Sequence, residues 1–167
     1  MLSSPRINLR KIEPQDLPFL YLVENDDKGW GSSSVHNPLS QSDLRAYIES
    51  TTGDIFKDSQ LRLIIESTSE DKTTYGVIDL FDLDLINRNI AVGIYICPDY
   101  RQQGIAKDAL ELLSSYTLSF LGLRMVYASV ASKNHPSRNL FAAAGFKQAA
   151  VIPNFLRDDD LIVFTRT

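Results

Sequence analysis

Apolar and polar positions alternate with a period of two in several short stretches, and between them the spacing changes to three and four. RINLRKI, residues 6–12, alternates and predicts a first strand. In EPQDLPFLYLVEND, Leu17, Leu20 and Val23 recur at helical spacing. DLRAYIES predicts a second helix, with Ser42 as its N-cap and Gly53 breaking the pattern beyond it. Between these helices, DKGWGSSSVHNPLS is rich in Gly, Ser, Asn and Pro and reads as a loop. QLRLIIE, YGVIDLFDLD and IAVGIYI are three consecutive strands, joined by a polar turn over residues 66–74 and by INRN. A helix from about Gly104 to Phe120 follows. Its spacing buries Ile105, Ala109, Leu112 or Leu113, Tyr116 and Phe120, and Gly122 caps it. MVYASV is the next strand. HPSRNLFAAA is a short helix with Pro136 in its first turn and Gly145 at its end. Two strands near residues 146–151 and 161–165 complete the order β-α-α-β-β-β-α-β-α-β-β. That order is an α/β fold: one mixed sheet of about six to seven strands with about four helices on its two faces.

Composition narrows the class. The chain has 167 residues, 44% hydrophobic and 23% charged, which suits one compact domain over residues 1–167. No repeat or low-complexity tract interrupts it. A net charge of −4 argues against nonspecific binding to nucleic acid or to an anionic membrane. A single cysteine rules out an internal disulfide and points to a reducing compartment. No run reaches the about 18 apolar residues of a spanning helix. MLSSPRINLRKIEP lacks the apolar core of a signal peptide, so a cytoplasmic location is expected.

The candidate chemistry starts in CPDYRQQGIAKDAL, residues 97–110, where an apolar strand passes into an amphipathic helix through a polar joint. A helix start carries unpaired N–H groups and the positive end of the macrodipole, so it attracts anions. Gly104 lets a ligand approach the backbone, Ala106 is nearly as small, and Arg101 and Lys107 add positive charge. The joint lacks the G-K-[ST] ending of a Walker loop and the G-x-G-x-x-G of a dinucleotide site. In isolation, R-x-x-G-x-A also describes an ordinary solvated turn.

With its context the joint resembles the GNAT acetyltransferase superfamily. Arg101, Gly104 and Ala106 are similar to its acyl-CoA motif R/Q-x-x-G-x-G/A. One helix and one strand later, NHPSRNLFAAAGF is similar to its N-x(6)-Y-x(3)-G-F block at Asn134, Gly145 and Phe146. With GVIDLFDLD ahead of the CoA strand, the chain looks closest to the branch of polyamine and ribosomal-protein N-terminal acetyltransferases. The resemblance implies the GNAT fold, a mostly antiparallel sheet splayed at the acyl-CoA strand. It also implies direct transfer of the acetyl group of acetyl-CoA to a primary amine, on a polyamine or other small amine or on a protein N-terminus. It places the pyrophosphate at Arg101, Gln102, Gln103, Gly104, Ile105, Ala106 and Lys107, with backbone N–H groups as donors. The pantetheine arm lies along Ile94, Tyr95 and Ile96, and Asn134 contacts the cofactor or caps its helix.

The chain departs from the family pattern where protons move. The tyrosine that serves as general acid is here Phe141, and the acidic position two residues before the glycine of the CoA strand is Ala91. Asp79 and Asp82 are the nearest candidate bases, with Asp84 beside them. Regular alternation puts Asp82 and Asp84 on the face opposite Asp79. These departures keep open an alternative, a noncatalytic acyl-CoA-binding module of the same fold. Cys97 reads as a strand-end filler, since His36 and His135 offer it no triad. With one cysteine and two histidines, no metal site is expected. Trp30 can line an acceptor pocket or cover the core. The acidic run after Arg157 reads as a hairpin turn. A homodimer is an expectation from the family alone.

Overall fold

The computed structural model describes residues 2–26 and 37–167. Its elements are β1 (Ile7–Lys11), α1 (Leu17–Glu24), α2 (Gln41–Ser50), a short α3 (Ile55–Asp58), β2 (Leu61–Ser67), β3 (Thr74–Asp84) and β4 (Asn89–Ile96). After these come α4 (Ile105–Ser115), a π-helical turn (Tyr116–Phe120), β5 (Met125–Ala131), α5 (His135–Ala143), β6 (Lys147–Leu156) and β7 (Asp159–Arg166). The strands form one seven-stranded sheet in the order β1-β2-β3-β4-β5-β7-β6. Every neighbouring pair is antiparallel except β4 and β5.

Side-chain alternation divides the core between the two faces of the sheet. Leu63, Ile78, Ile90, Val126 and Phe164 point to the face covered by α4 and α5, where Ile105, Leu110, Leu113 and Phe141 meet them. Ile64 and Val77 point to the other face and pack under Leu20 of α1 and Leu44 and Ile48 of α2. The predicted fold class and strand count hold, with α3 as a fifth helix among the described residues that its four residues hide from periodicity.

Four local expectations change. Ser40, not Ser42, caps α2: its hydroxyl accepts from the Asp43 N–H at 3.1 Å and Asp43 accepts from the Ser40 N–H at 3.0 Å. This reciprocal box saves two donors, where Ser42 would have saved one. The helix after Gly104 ends its regular part at Ser115. The wider π turn that follows rotates Thr117 inward, and its hydroxyl donates to the Leu113 carbonyl. Phe120 is therefore 62% exposed, stacked on Tyr116, and not in the core. The last two strands are longer than their apolar cores, because the β6–β7 ladder runs to the turn at residues 157–158.

One glycine holds the centre of the sheet. A Cβ on Gly76 would lie 2.0 Å from the Tyr95 carbonyl oxygen, so β3 and β4 approach more closely there than any side chain permits. Gly76→Ala must displace β4 backbone, which no rotamer change relieves. It is expected to lower the unfolding midpoint in denaturant by more than the same change at Gly93, where a Cβ meets only the Phe81 ring, at 3.4 Å.

Candidate active site

The site begins where β4 and β5 part. Their parallel ladder has three rungs, Asn89–Met125, Ile90–Val126 and Ala91–Tyr127. From Val92 on, β4 stays paired with β3, while β5 pairs with β7 through Ala131. A V-shaped opening results, with one edge of residues 92–96 facing it. The chain leaves β4 into α4 and returns as β5, so the starts of α4 and α5 both follow the carboxyl ends of these two strands. Such crevices outside the carboxyl ends of parallel strands are where α/β sheets bind ligands.

Gly104 stands at the start of α4 in the left-handed region, φ 81°, with no side-chain cap on the helix. The N–H groups of the first turn therefore have neither intrahelical nor capping partners. A Cβ at Gly104 would point toward Arg6, 3.5 Å away, and would fill the approach to those donors. The Arg6 guanidinium bonds the Gln103 carbonyl at 2.6 Å and lies 3.4 Å from Asp108. It ties the loop to the start of β1 and brings a cation that the motif does not include. Gln103 also bonds the Asp99 carbonyl through its side chain, and Gln102 is held at φ 60°. Arg101 donates to the Ile96 carbonyl at 2.9 Å and lies over the Tyr95 ring, 5.7 Å from its centre. Lys107 pairs with Glu111 on its own helix, and Ile105 is buried in the core. The donor set is a glycine-opened helix start with two arginines beside it, which suits a diphosphate.

Ile94 and Ile96 point to the α4 side and Tyr95 to the α1 side. Burial, and after it Asp26 and Cys97, pushes the Tyr95 phenol above its usual range. Asn134 caps α5 by accepting from the Ser137 N–H at 3.2 Å. Asp159 accepts from Ser132 at 2.5 Å and Lys133 at 3.1 Å, fastening the β6–β7 hairpin to the loop before α5. The acidic run after Arg157 is thus a hairpin turn with a structural tie. Trp30 and His36 lie outside the described residues.

On the α1 face, Phe81, Ala91 and Tyr127 sit side by side across β3, β4 and β5. Gly93 leaves room for the Phe81 ring, which a Cβ would meet at 3.4 Å. The β3 ladder is irregular between Phe81 and Asp84, and Asp82 is at φ 52°. This bulge breaks the alternation and brings Asp82 and Asp84 near Tyr127, whose phenol is pushed up by burial and then by these two carboxylates. Asp84 accepts from the N–H and the side-chain amide of Asn87 in the β3–β4 turn. Asp79 is used differently. It takes two hydrogen bonds from Arg62, at 2.6 and 3.2 Å, and Arg62 also bonds Glu24 at 2.6 Å. Burial opposes the charge on Arg62, but these carboxylates outweigh it and hold the guanidinium above its usual range. Phe141 is buried, edge to face with Phe146 and stacked on Phe164, so it is a core side chain.

Pattern reading missed Arg6 and Tyr127. Neither belongs to a motif; Arg6 is brought to the joint by β1, and Tyr127 by the register of β5. Among the described residues, no group of three or more His, Cys, Asp or Glu is placed to hold a metal ion. No helix there is long and apolar enough to cross a membrane.

A splayed sheet with a glycine-opened helix start at its mouth suits an acyl-CoA-dependent transferase, and comparison with known proteins shows that class. The acetyltransferase (GNAT) domain model matches residues 6–147. The chain is 24% identical over 156 residues to the uncharacterised N-acetyltransferase YoaA of Bacillus subtilis (strain 168), covering 93% of this chain and 88% of that protein. It is 24% identical over 150 residues to the spermidine N(1)-acetyltransferase of Escherichia coli (strain K12), covering 87% and 75%. The fold overlays on the spermidine N-acetyltransferase of Vibrio cholerae, solved in complex with CoA and spermine. That overlay has a TM-score of 0.84 at 21% identity and covers 98% and 96% of the two chains. The chain belongs to the GNAT acetyltransferase family and is an acetyl-CoA-dependent N-acetyltransferase acting on an amine.

The Arg62 ion pairs yield a stability test. Arg62→Ala removes the guanidinium that Glu24 and Asp79 share, and a loss of about 3 kcal/mol is expected in denaturant unfolding. Adding Asp79→Asn to that variant is expected to recover part of the loss.

Proposed function

We propose that the chain, as one catalytic domain, acetylates a cationic small amine such as a polyamine. The observation that carries this reading is the pairing of two features at one opening. An anion cradle lies at the mouth of the V, and an aromatic and acidic surface of Phe81, Tyr127, Asp82 and Asp84 lies at its apex. Aromatic faces and carboxylates attract an ammonium group. The similarity to spermidine acetyltransferases supports the same class. A protein N-terminus is the other acceptor the family resemblance allows, and it is an outcome of the assay below.

In this reading the N–H groups of residues 103–107, with Arg101, Gln102 and Arg6, hold the pyrophosphate of acetyl-CoA. The free edge at Ile94, Tyr95 and Ile96 takes the pantetheine arm as an added strand. An N–H of that edge polarises the thioester carbonyl, and Asn134 contacts the cofactor beyond its cap. The bound thioester supplies the activated acetyl group; the protein aligns it with the amine, which accounts for much of the rate. Asp82 is the base that accepts the ammonium proton, while Asp79 serves to hold Arg62. The noncatalytic alternative rests on Phe141 and Ala91. Cytoplasmic location and dimerisation remain part of the proposal.

A thiol-release assay with acetyl-CoA over polyamines, small amines and peptides tests the reading. Turnover with polyamines above peptides is expected; CoA binding with no release from any amine favours the binding module. Gly104→Glu fills the cradle with a side chain and a negative charge. It is expected to weaken CoA binding at least about tenfold, a loss of about 1.4 kcal/mol, in a protein that stays folded. Retained affinity places the pyrophosphate elsewhere.

Asp82→Ala is expected to lower the rate most at low pH, where ammonium deprotonation is hardest. An unchanged pH–rate profile dismisses Asp82 as the base.

A further inference from the structure

The position that carries the general acid in the family is a core phenylalanine here, yet a different phenol stands at the apex of the V. Tyr127 forms the last rung of the β4–β5 ladder, opposite Ala91. Strands at a rung are about 4.8 Å apart, and beyond this one they diverge, so the Tyr127 side chain stands where the opening begins. It shares the α1-side face with Gly93 and Phe81 and is half-buried. Its sheet neighbours on that rung, Ala91 and Thr165, do not titrate. The charged groups acting on it are Asp82 and Asp84, from the bulge and last residue of β3.

We propose that the Tyr127 hydroxyl donates a hydrogen bond, and then its proton, to the sulfur that leaves the thioester. This rests on the acetyl-transfer reading. The amine nitrogen forms a bond to the carbonyl carbon, the carbon–sulfur bond breaks, and the sulfur takes the phenol proton to become the free thiol. The ammonium first loses one proton through Asp82 to water; the second proton, shed by nitrogen after attack, restores the phenol through water, so one proton is released per turnover, protons balance and nothing is oxidised or reduced. Burial and the two carboxylates hold the phenol above its ordinary value of about 10. It therefore remains protonated, and able to donate, at every pH where an amine acceptor is used.

Tyr127→Phe tests this with two readouts. The first needs no turnover: the ultraviolet absorbance of the thiolate follows the titration of CoA bound to the protein. A donor at Tyr127 stabilises the thiolate, so the bound thiol is expected to titrate at lower pH in the native protein than in the variant, with unchanged CoA affinity by calorimetry. The second is the leaving-group dependence of kcat, measured with acetyl thioesters of thiols of graded acidity. The variant is expected to lose about a hundredfold with the least acidic thiol, the low end for general acid catalysis, and little with the most acidic. Equal thiol titration in the two proteins overturns the proposal, and so does a rate loss independent of the thiol. If the native protein releases no thiol with any amine but the titrations differ, acetyl transfer fails as a reading while Tyr127 stands as a donor to the bound sulfur.

Discussion

The separation of β4 from β5 after three rungs is the constraint on which the rest of the molecule depends. β5 has two edges, and along residues 126–131 one of them is committed to β7. β4 is held straight by β3, with Gly76 drawing the two backbones together. Sheet twist carries the two strands apart, and residues 92–96 are left with one unpaired edge. Unpaired backbone groups need partners. Arg101 supplies one by bonding the Ile96 carbonyl. The remaining groups of that edge have no neighbouring strand.

Both helices that line the mouth depend on the same parting. α4 connects the two strands as a crossover, so its N-terminus falls beyond the end of β4, and that of α5 falls beyond the end of β5. Gly104 leaves the first of these open, while Asn134 closes the second with its own side chain. Arg6, in turn, ties the open one to the edge of the sheet through the Gln103 carbonyl. The joint before α4 is therefore fastened to the end of β4 through Arg101 and to the distant start of β1 through Arg6.

On the opposite side of the sheet the chemistry is acidic and aromatic, and its arrangement depends on a bulge. The cofactor half follows the family motif closely. The proton half does not: Phe141 is packed among Phe146 and Phe164, and Ala91 has a phenol beside it. Asp79, attractive by position alone, holds together Arg62 and the end of α1.

How much was legible follows from how local each cause is. The strands, four of the helices and the Gly104 joint were readable, because alternation, spacing and a glycine before an amphipathic run act within a few residues. The Ser40 cap was readable in principle as S-x-x-D and was missed in favour of a serine two positions on. The π turn was not, since Thr117 and Phe120 are equally compatible with a helix until packing chooses which one faces in. The bulge at Asp82 was not either, because a non-glycine residue at positive φ carries no mark in the sequence. What the sequence determined by itself was the list of elements, the family and the glycine-opened start of α4. Tertiary structure alone decided that Arg6 reaches the Gln103 carbonyl, that Asp79 pairs with Arg62 and that Tyr127 stands at the apex. Each depends on strand register, and register is set by how the whole sheet closes over its core.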